Sequence, residues 1–164
     1  MSDAERRPIP KPEGYFCFAC GTANPIGLNL EFYRSGDKVC TDITLGEYHV
    51  GWSNISHGGI LSTLLDEVMS WAILYFKRIF FVTRKMQIRY IRPVLVGTPL
   101  KVVGQVIGQN ESSIKAKAEI FDASGNLLAR STGEFVTIDD RKLSFIDDES
   151  KREIYSLIEK LPPL

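Results

Sequence analysis

A carboxylate that follows a His-Gly-Gly sequence at helical spacing is the feature of this chain best suited to catalysis at a carbonyl group. His57-Gly58-Gly59 opens an apolar helical pattern, and Asp66 lies about two turns inside it. Glycines at a helix start leave the first backbone N–H groups uncovered, and the helix dipole adds roughly half a positive charge there. Such donors suit an oxygen that becomes negative during a reaction, with Asp66 as the base or nucleophile. The alternative is a capped core helix whose single buried acid finds a partner.

The pattern of the chain predicts one long helix and six strands around these groups. Apolar residues at helical spacing predict a helix over about residues 58–78, with a core stripe of Leu61, Leu65, Val68, Ala72 and Tyr75. Alternating or apolar runs between turn signals predict the strands 28–33, 39–45, 85–90, 100–107, 113–121 and 127–137. One helix cannot cover both faces of such a sheet, so we expect a second copy to pair with its edge or pack on its face.

These elements predict one central domain with a short segment on either side. Residues 1–14 are expected to form a flexible arm, because their prolines exclude helix and leave no core pattern. Residues 15–138 hold the predicted domain. Residues 139–164 are expected to form a tail with a short amphipathic helix, which the capping box Ser150–Glu153 would open.

Composition limits the classes of function. The chain has 164 residues with 20 basic and 20 acidic side chains, so its formal net charge is zero. A neutral chain gives no reason to expect nucleic acid or an anionic membrane as a partner. Residues 1–14 hold no apolar stretch, so we expect no signal peptide. The longest apolar-rich run, 71–82, is interrupted by Lys77 and Arg78, so we expect no run to span a bilayer. Three cysteines, an odd number, favour a reducing compartment, and we expect a cytoplasmic protein.

Five segments, taken in their order, resemble the hotdog-fold acyl-CoA thioesterases of the PaaI-like type. They lie within about residues 16–138 and are Cys17–Gly21, Asn24–Leu28, His57–Asp66, Thr83 with Tyr90–Pro93, and Ala129–Gly133. The resemblance implies an α+β hotdog fold, in which an antiparallel sheet of about six strands wraps around one long central helix. It further implies an obligate homodimer, or a homotetramer, whose active sites at the subunit interface hydrolyse acyl-CoA to a free acid and CoA.

The same resemblance implies roles for individual residues. The backbone N–H of Gly58 polarises the thioester carbonyl, the helix carboxylate Asp66 acts from the other subunit, and Thr83 helps to place the water. Some relatives carry an amide residue six positions before the histidine; here that position is Gly51, and the nearest amide is Asn54. We expect substrate contacts from the turn, the nearest amide and the more polar side of the helix, namely His57, Gly59, Asn54, Ser62 and Met69.

Three neighbouring groups have ordinary structural interpretations. A histidine at a helix start, such as His57, more commonly holds its own turn. Glu67 lies about 100° round the helix from Asp66 and is expected to make a structural salt bridge or hydrogen bond. Cys17 and Cys20 would need two further ligands for tetrahedral zinc, and the sequence offers no second pair at that spacing. We therefore expect no metal, and no cofactor apart from the CoA of the substrate.

Three alternatives to thioester hydrolysis stay open. A non-catalytic acyl-CoA-binding or sensing protein would bind tightly without forming product. A hotdog dehydratase or hydratase acting on 3-hydroxyacyl thioesters would need a histidine, for which only His49 and His57 are available. A structural interaction protein would have an inert Asp66 and no pocket. The acyl chain follows from no pattern in one chain, because the depth of the pocket depends on how two copies meet.

Overall fold

An antiparallel sheet of seven strands wraps around one long helix in the computed structural model, which describes residues 6–139 and 143–164. In chain order the elements are β1 (Arg7–Ile9), β2 (Phe32–Ser35), β3 (Lys38–Thr44), β4 (Val50–Trp52), β5 (Ile55–Ser56), α1 (Gly58–Lys77), β6 (Phe81–Tyr90), β7 (Pro99–Gln109), β8 (Ser113–Asp122), β9 (Leu127–Thr137) and α2 (Asp148–Lys160). The strand order is β1-β2-β3-β7-β8-β9-β6, and β4 and β5 form a separate hairpin. This is the hotdog fold that the resemblance implies.

Helix α1 forms the core of the fold because its apolar side chains cover more than one of its faces. Nine of its residues are buried, and Leu64, Leu65 and Val68 have no exposed surface. The helix packs against β7, β8 and β3 on the inner face of the sheet. Gly104 of β7 permits a close approach, since a Cβ at this position would lie 2.4 Å from the carbonyl oxygen of Val68. The absence of a side chain at Gly104 therefore sets how closely α1 approaches β7.

By length and composition alone, α1 is apolar enough to cross a lipid bilayer. The expectation that no run could span a bilayer considered only residues 71–82, which start beyond the middle of this helix. Half of the most apolar part of α1 is buried within the fold. A core helix of a globular domain meets the same criteria, so the composition of α1 reflects its place inside the sheet.

Residues 6–11 are attached to the sheet, in contrast to the flexible arm that the prolines predict for residues 1–14, of which residues 1–5 lie outside the described residues. Strand β1 pairs with β2, and Ile9 is only 3% exposed. Pro8 is tolerated because β1 is an edge strand, where one side of the ladder needs no donor. The side chain of Lys11, 3% exposed, donates to the carbonyl oxygens of Cys20 and Leu30 at 3.0 and 2.7 Å. A strand of three residues is too short to show an alternating pattern.

Strand β2 starts later than the alternation over residues 28–33 predicts. Asn29 has a φ of 46°, in the left-handed region, and this conformation interrupts an extended strand. The backbone N–H groups of Leu28 and Leu30 instead donate to carbonyl oxygens of the turn around residues 17–21, at 2.8 and 3.0 Å. Residues 28–30 therefore support that turn and do not extend the sheet.

Helix α2 begins earlier than the predicted capping box. Its N-cap is Asp147, whose carboxylate accepts both the backbone N–H and the hydroxyl of Ser150 at 2.8 Å. An ionised cap is also favoured by the helix dipole, which gives Asp147 an advantage over Ser150. Arg78, which follows α1, donates to the carbonyl oxygen of Ile158 at 3.3 Å. This contact holds α2 against the end of the core helix.

Candidate active site

His57 caps the N-terminus of α1 and occupies one of its free N–H groups. It is the N-cap of the helix, with an extended backbone of φ −64° and ψ 132°. Its ring nitrogen Nδ1 accepts the backbone N–H of Gly59 at 2.8 Å, so that donor is used inside the turn. The N–H of Gly58 has no acceptor within residues 6–139 and 143–164, which leaves it as a donor for a ligand. His57 thus holds its own turn, and substrate contact by His57 or Gly59 stays a prediction.

Two hydroxyl groups fix Gly58 from its carbonyl side. Tyr90, at the end of β6, donates to the carbonyl oxygen of Gly58 at 3.0 Å, and the hydroxyl of Ser62 donates to the same oxygen at 2.9 Å. The hydroxyl oxygens of Ser62 and Tyr90 also lie 2.7 Å apart. The two hydroxyl protons are therefore shared among three contacts, two to the carbonyl oxygen of Gly58 and one between the hydroxyls. Sequence analysis singled out Ser62 but gave Tyr90 no role in the site. The contact of Tyr90 spans 32 residues, and only the docking of β6 beside α1 creates it.

Asp66 and Thr83, which were identified separately in the sequence, are in contact. The hydroxyl of Thr83 donates to Oδ1 of Asp66 at 3.0 Å. The ladder between β6 and β9 is irregular between Thr83 and Lys85, where Arg84 has no register partner. A bulge changes the direction of a neighbouring side chain, and here the side chain of Thr83 reaches Asp66 on α1. Burial raises the pKa of Asp66, while the hydrogen bond from Thr83 opposes this rise. The result is a half-buried carboxylate with one fixed donor.

Gly58 and Asp66 of one helix cannot act on the same carbonyl group. They are eight residues apart in α1, and a rise of 1.5 Å per residue separates them by about 12 Å. A reacting carbonyl needs its oxyanion donor and its base each within about 3 Å. The separation of about 12 Å exceeds this reach, so Gly58 and Asp66 of one copy do not face a common carbonyl group.

The remaining predicted site residues lie farther from these contacts. Asn54 is exposed in the hairpin of β4 and β5, and no hydrogen bond within the described part of the chain joins its side chain to Gly58 or Asp66. A Cβ at Gly51 would lie 2.9 Å from Cα of His57, so the position has no room for the amide that some relatives carry. Met69 is fully buried in the core. Substrate contact by Asn54 or Met69 stays a prediction.

Glu67 lies on another face of α1, where it accepts a hydrogen bond as expected. Its Oε1 accepts the indole N–H of Trp71 at 3.0 Å and lies 3.9 Å from Sγ of Cys17. Burial, and then the charge of the nearby Cys17, raise the pKa of Glu67 to about 7. With Cys17 and Cys20, Glu67 lines a cavity of about 760 Å³ between α1, α2 and the N-terminal segment. Ligand atoms of these three side chains lie within 4.8 Å of one another and could hold a metal ion.

Residues 54–129 match a family model described as the thioesterase superfamily. The matched segment contains Gly58, Asp66, Thr83 and Tyr90, whereas Cys17 and its turn lie outside it. A curated relative in Saccharomyces cerevisiae, the uncharacterised mitochondrial membrane protein FMP10, is 34% identical over 91 residues. This match covers 51% of the chain and 37% of the relative, so the chain spans little more than a third of that protein's length.

Solved structures share the arrangement of a sheet around one helix. A crystal structure of a thioesterase superfamily protein is 25% identical with a TM-score of 0.68, covering 72% of this chain and 58% of that one. The PaaI protein of the phenylacetic acid degradation operon of E. coli is 20% identical with a TM-score of 0.63, covering 68% and 81%. A hypothetical thioesterase of Streptococcus pneumoniae, solved with coenzyme A, is 20% identical with a TM-score of 0.62, covering 67% and 86%.

Proposed function

We propose that this hotdog-fold chain, whose residues 54–129 match the family model of the thioesterase superfamily, hydrolyses acyl-CoA thioesters to a free acid and CoA. The observation that carries the proposal is the pair of half-sites on α1. One half-site is the uncovered N–H of Gly58, and the other is the carboxylate of Asp66 with its hydrogen bond from Thr83. A neighbour of the same fold that was solved with coenzyme A agrees with this class of substrate.

Hydrolysis needs a donor for the carbonyl oxygen and a base or nucleophile for the carbonyl carbon. The thioester oxygen accepts the N–H of Gly58, and the dipole of α1 stabilises the negative charge that develops there. As a base, Asp66 takes a proton from water, the water oxygen adds to the carbon, and the C–S bond breaks as CoA leaves and is protonated. As a nucleophile, Asp66 attacks the carbon, CoA leaves, and water hydrolyses the resulting anhydride. Both routes require ionised Asp66.

Burial and Thr83 tune Asp66 for either route. The raised pKa of Asp66 makes its ionised form a stronger base than an exposed carboxylate. The hydroxyl of Thr83 donates its hydrogen bond to Asp66, so the lone pairs of the hydroxyl oxygen are free to accept a hydrogen bond from water. That water would lie beside the carboxylate. This arrangement supports the role of Thr83 in placing the water.

A complete site requires two copies of the chain. Because about 12 Å of helix separates Gly58 from Asp66, a thioester held by Gly58 of one copy must meet Asp66 of another. Strand β6, which carries Thr83 and Tyr90, is ten residues long, largely exposed, and at the edge of the described sheet. An open edge of that length favours pairing with a further strand. We propose a homodimer in which the β6 strands are neighbours and two sites lie at the interface.

Release of CoA from short, long and aromatic acyl-CoAs, measured for wild type and Asp66→Asn, tests the activity. Asparagine is nearly isosteric with aspartate but neither takes a proton nor attacks the carbon. We expect turnover to fall about 10²- to 10⁴-fold with the fold retained. Asp37→Asn is the matched control, since Asp37 lies in the exposed turn between β2 and β3, where it accepts the amide of Gln105. It should keep wild-type turnover.

Other outcomes of this assay identify the alternatives. Tight binding of acyl-CoA by the wild type without release of CoA would support a binding protein and contradict the hydrolase. Loss of water from a 3-hydroxyacyl-CoA would support a dehydratase, for which His57 has only Nε2 to offer, because Nδ1 accepts from Gly59. Equal turnover by wild type and Asp66→Asn would refute the role of Asp66.

A further inference from the structure

A second cluster of reactive side chains lies on a face of α1 that the proposed hydrolysis does not use. Cys17 and Cys20 belong to a tight turn in which the N–H of Gly21 donates to the carbonyl oxygen of Cys17 at 2.9 Å. A Cβ at Gly21 would lie 2.5 Å from the backbone N and O of Cys17, so only glycine closes this turn. The backbone N–H of Cys20 points at Sγ of Cys17, 3.5 Å away. The turn thereby brings the two sulfur atoms together.

Glu67 of α1 adds a carboxylate to the two thiols. Its Oε1 lies 3.9 Å from Sγ of Cys17, and one ligand atom from each of the three side chains lies within 4.8 Å of the others. The indole N–H of Trp71 orients the carboxylate at 3.0 Å, and the hydroxyl of Tyr15 lies 3.1 Å from Sγ of Cys20. Two parts of the chain, separated by 50 residues, therefore converge on one point, with a neighbouring polar group to support each.

The cluster combines two thiols and a carboxylate, and no cationic side chain of the described residues contacts their ligand atoms. Lys11 lies beside the turn but donates to the carbonyl oxygen of Cys20 and not to either sulfur. In the part of the chain that the structure describes, no salt bridge reaches Glu67. A cation at this point would meet two sulfur atoms and a carboxylate without a competing cationic side chain of the described residues.

We infer that Cys17, Cys20 and Glu67 bind a zinc ion. Zn²⁺ takes thiolate sulfur at about 2.3 Å and carboxylate oxygen at about 2.0–2.2 Å, which places tetrahedral ligand atoms roughly 3.5–3.8 Å apart. Separations of 4.8 Å or less reach these values by small side-chain rotations. Two thiolates also favour zinc over magnesium or calcium, which prefer oxygen ligands alone. Tyr15 and Trp71 are then the neighbours that orient the ligands.

The three proposed ligands also line a cavity of about 760 Å³, from which a fourth ligand would reach the ion. A site with three protein ligands takes a water or an external donor as its fourth ligand. The ion would also join the turn that contains Cys17 to the core helix. Sequence analysis expected no metal because the two cysteines lacked further ligands, and Glu67 is the ligand that only folding brings to them. The site is separate from the proposed hydrolysis, because Asp66 lies about 100° round α1 from Glu67.

Titration with Co²⁺, which adopts the geometry of zinc and absorbs in the near ultraviolet when thiolates bind it, tests the site. The chain of 164 residues, reduced and stripped of metal by a chelator, should take up about one Co²⁺ per chain, and Zn²⁺ should displace it. Cys17→Ser and Cys20→Ser should abolish the absorption, and Glu67→Gln should weaken binding at least about tenfold. Cys40→Ser removes the other free cysteine, which is buried in β3, and should bind as wild type.

A thermal measurement keeps the test decisive if a cysteine variant does not fold. Zn²⁺ should raise the Tm of wild type and of Cys40→Ser, because the ion binds the folded state, and the rise should shrink in Glu67→Gln. The zinc site is overturned if the reduced wild type takes up no Co²⁺, or if Cys17→Ser and wild type take it up equally. These readouts involve no thioester, so their failure is distinct from a failure of the proposed hydrolysis.

Discussion

Asp66 is a charged residue that folding partly removes from water. Burial is the larger effect and raises the pKa of its carboxyl, while the hydrogen bond from Thr83 restores only part of the lost hydration. Because the unfolded chain ionises this group at a lower pH than the folded chain does, ionised Asp66 destabilises the fold relative to a neutral side chain. The burial that would strengthen Asp66 as the proposed base therefore reduces stability at neutral pH.

We expect Asp66→Asn to be more stable than wild type at neutral pH. The stability associated with Asp66 is fully present below its unfolded pKa of about 3.8 and is lost as the pH rises through the raised folded pKa. An amide does not ionise, so the advantage of the variant should shrink as the pH falls toward 3.8. Urea unfolding of both proteins across this range measures the difference. A variant less stable than wild type at neutral pH would show that burial is not the larger effect.

Tyr90 should matter for catalysis although it does not react. We expect Tyr90→Phe to lower kcat/KM roughly tenfold, equivalent to about 1.4 kcal/mol, because Gly58 loses one of the two hydroxyls that fix its carbonyl group. Tyr48→Phe is the matched control, since Tyr48 is 91% exposed. Steady-state kinetics of both variants decide the point. An unchanged kcat/KM for Tyr90→Phe would show that Ser62 alone holds the start of the helix.

The residues proposed to react lie in one local sequence pattern, whereas the residues that contact them do not. His57, Gly58 and Asp66 form one local motif, whose spacing on a helix is fixed before any tertiary contact. By contrast, the contact between Tyr90 and Gly58 spans 32 residues, and that between Cys17 and Glu67 spans 50. No local pattern contains such pairs, because they depend on how a strand and a turn dock on α1.

Strand β7 determines how closely the helix that carries Asp66 approaches the sheet. We expect Gly104→Ala to destabilise the fold by about 1–3 kcal/mol, since its Cβ would meet the backbone of Val68. Hydrolysis should fall as well, because Val68 lies within one turn of Asp66. Gly108→Ala is the matched control in the same strand, where a Cβ meets open space, and should change stability by less than about 0.5 kcal/mol. Equal urea midpoints for the two variants would contradict the close approach.

Long central elements could be predicted from sequence, whereas short peripheral ones could not. Strands β8 and β9 and helix α1 agree with the predicted runs to within one residue at each end, because each shows its periodicity over most of its length. Strand β6, at the edge of the described sheet, begins at Phe81, four residues before the predicted run 85–90. The left-handed backbone of Asn29 and the three residues of β1 leave no comparable signal. For α2, Asp147 and Ser150 are both good caps, and local preference does not decide between them.

The whole molecule is organised around one helix and one open edge. A single helix covers the inner face of the sheet, and β6 remains at the edge of the described sheet with little buried surface. The sequence supports the expectation of a second copy, because one helix is too little to cover both faces of the sheet, and this expectation stays a prediction. The sequence could not indicate which edge or face the copy uses, since that depends on the strand order. The cytoplasmic location and the independence of hydrolysis from any cofactor stay predictions.

Mixing two inactive variants tests whether one active site takes Gly58 from one copy and Asp66 from another. Gly58→Pro removes the N–H of the first helical residue, a position that proline favours, and the extended backbone of His57 is the conformation required before proline. Asp66→Asn removes the base. Each variant alone should be inactive, whereas a mixed dimer contains one site with both groups intact.

We expect the mixture, after dissociation and reassociation, to regain about a quarter of wild-type CoA release. Random pairing makes about half of the dimers mixed, and one of the two sites in each would work. Native mass spectrometry verifies that mixed dimers form. Mixed dimers without CoA release would contradict a site shared between two copies, as would a protein that remains monomeric.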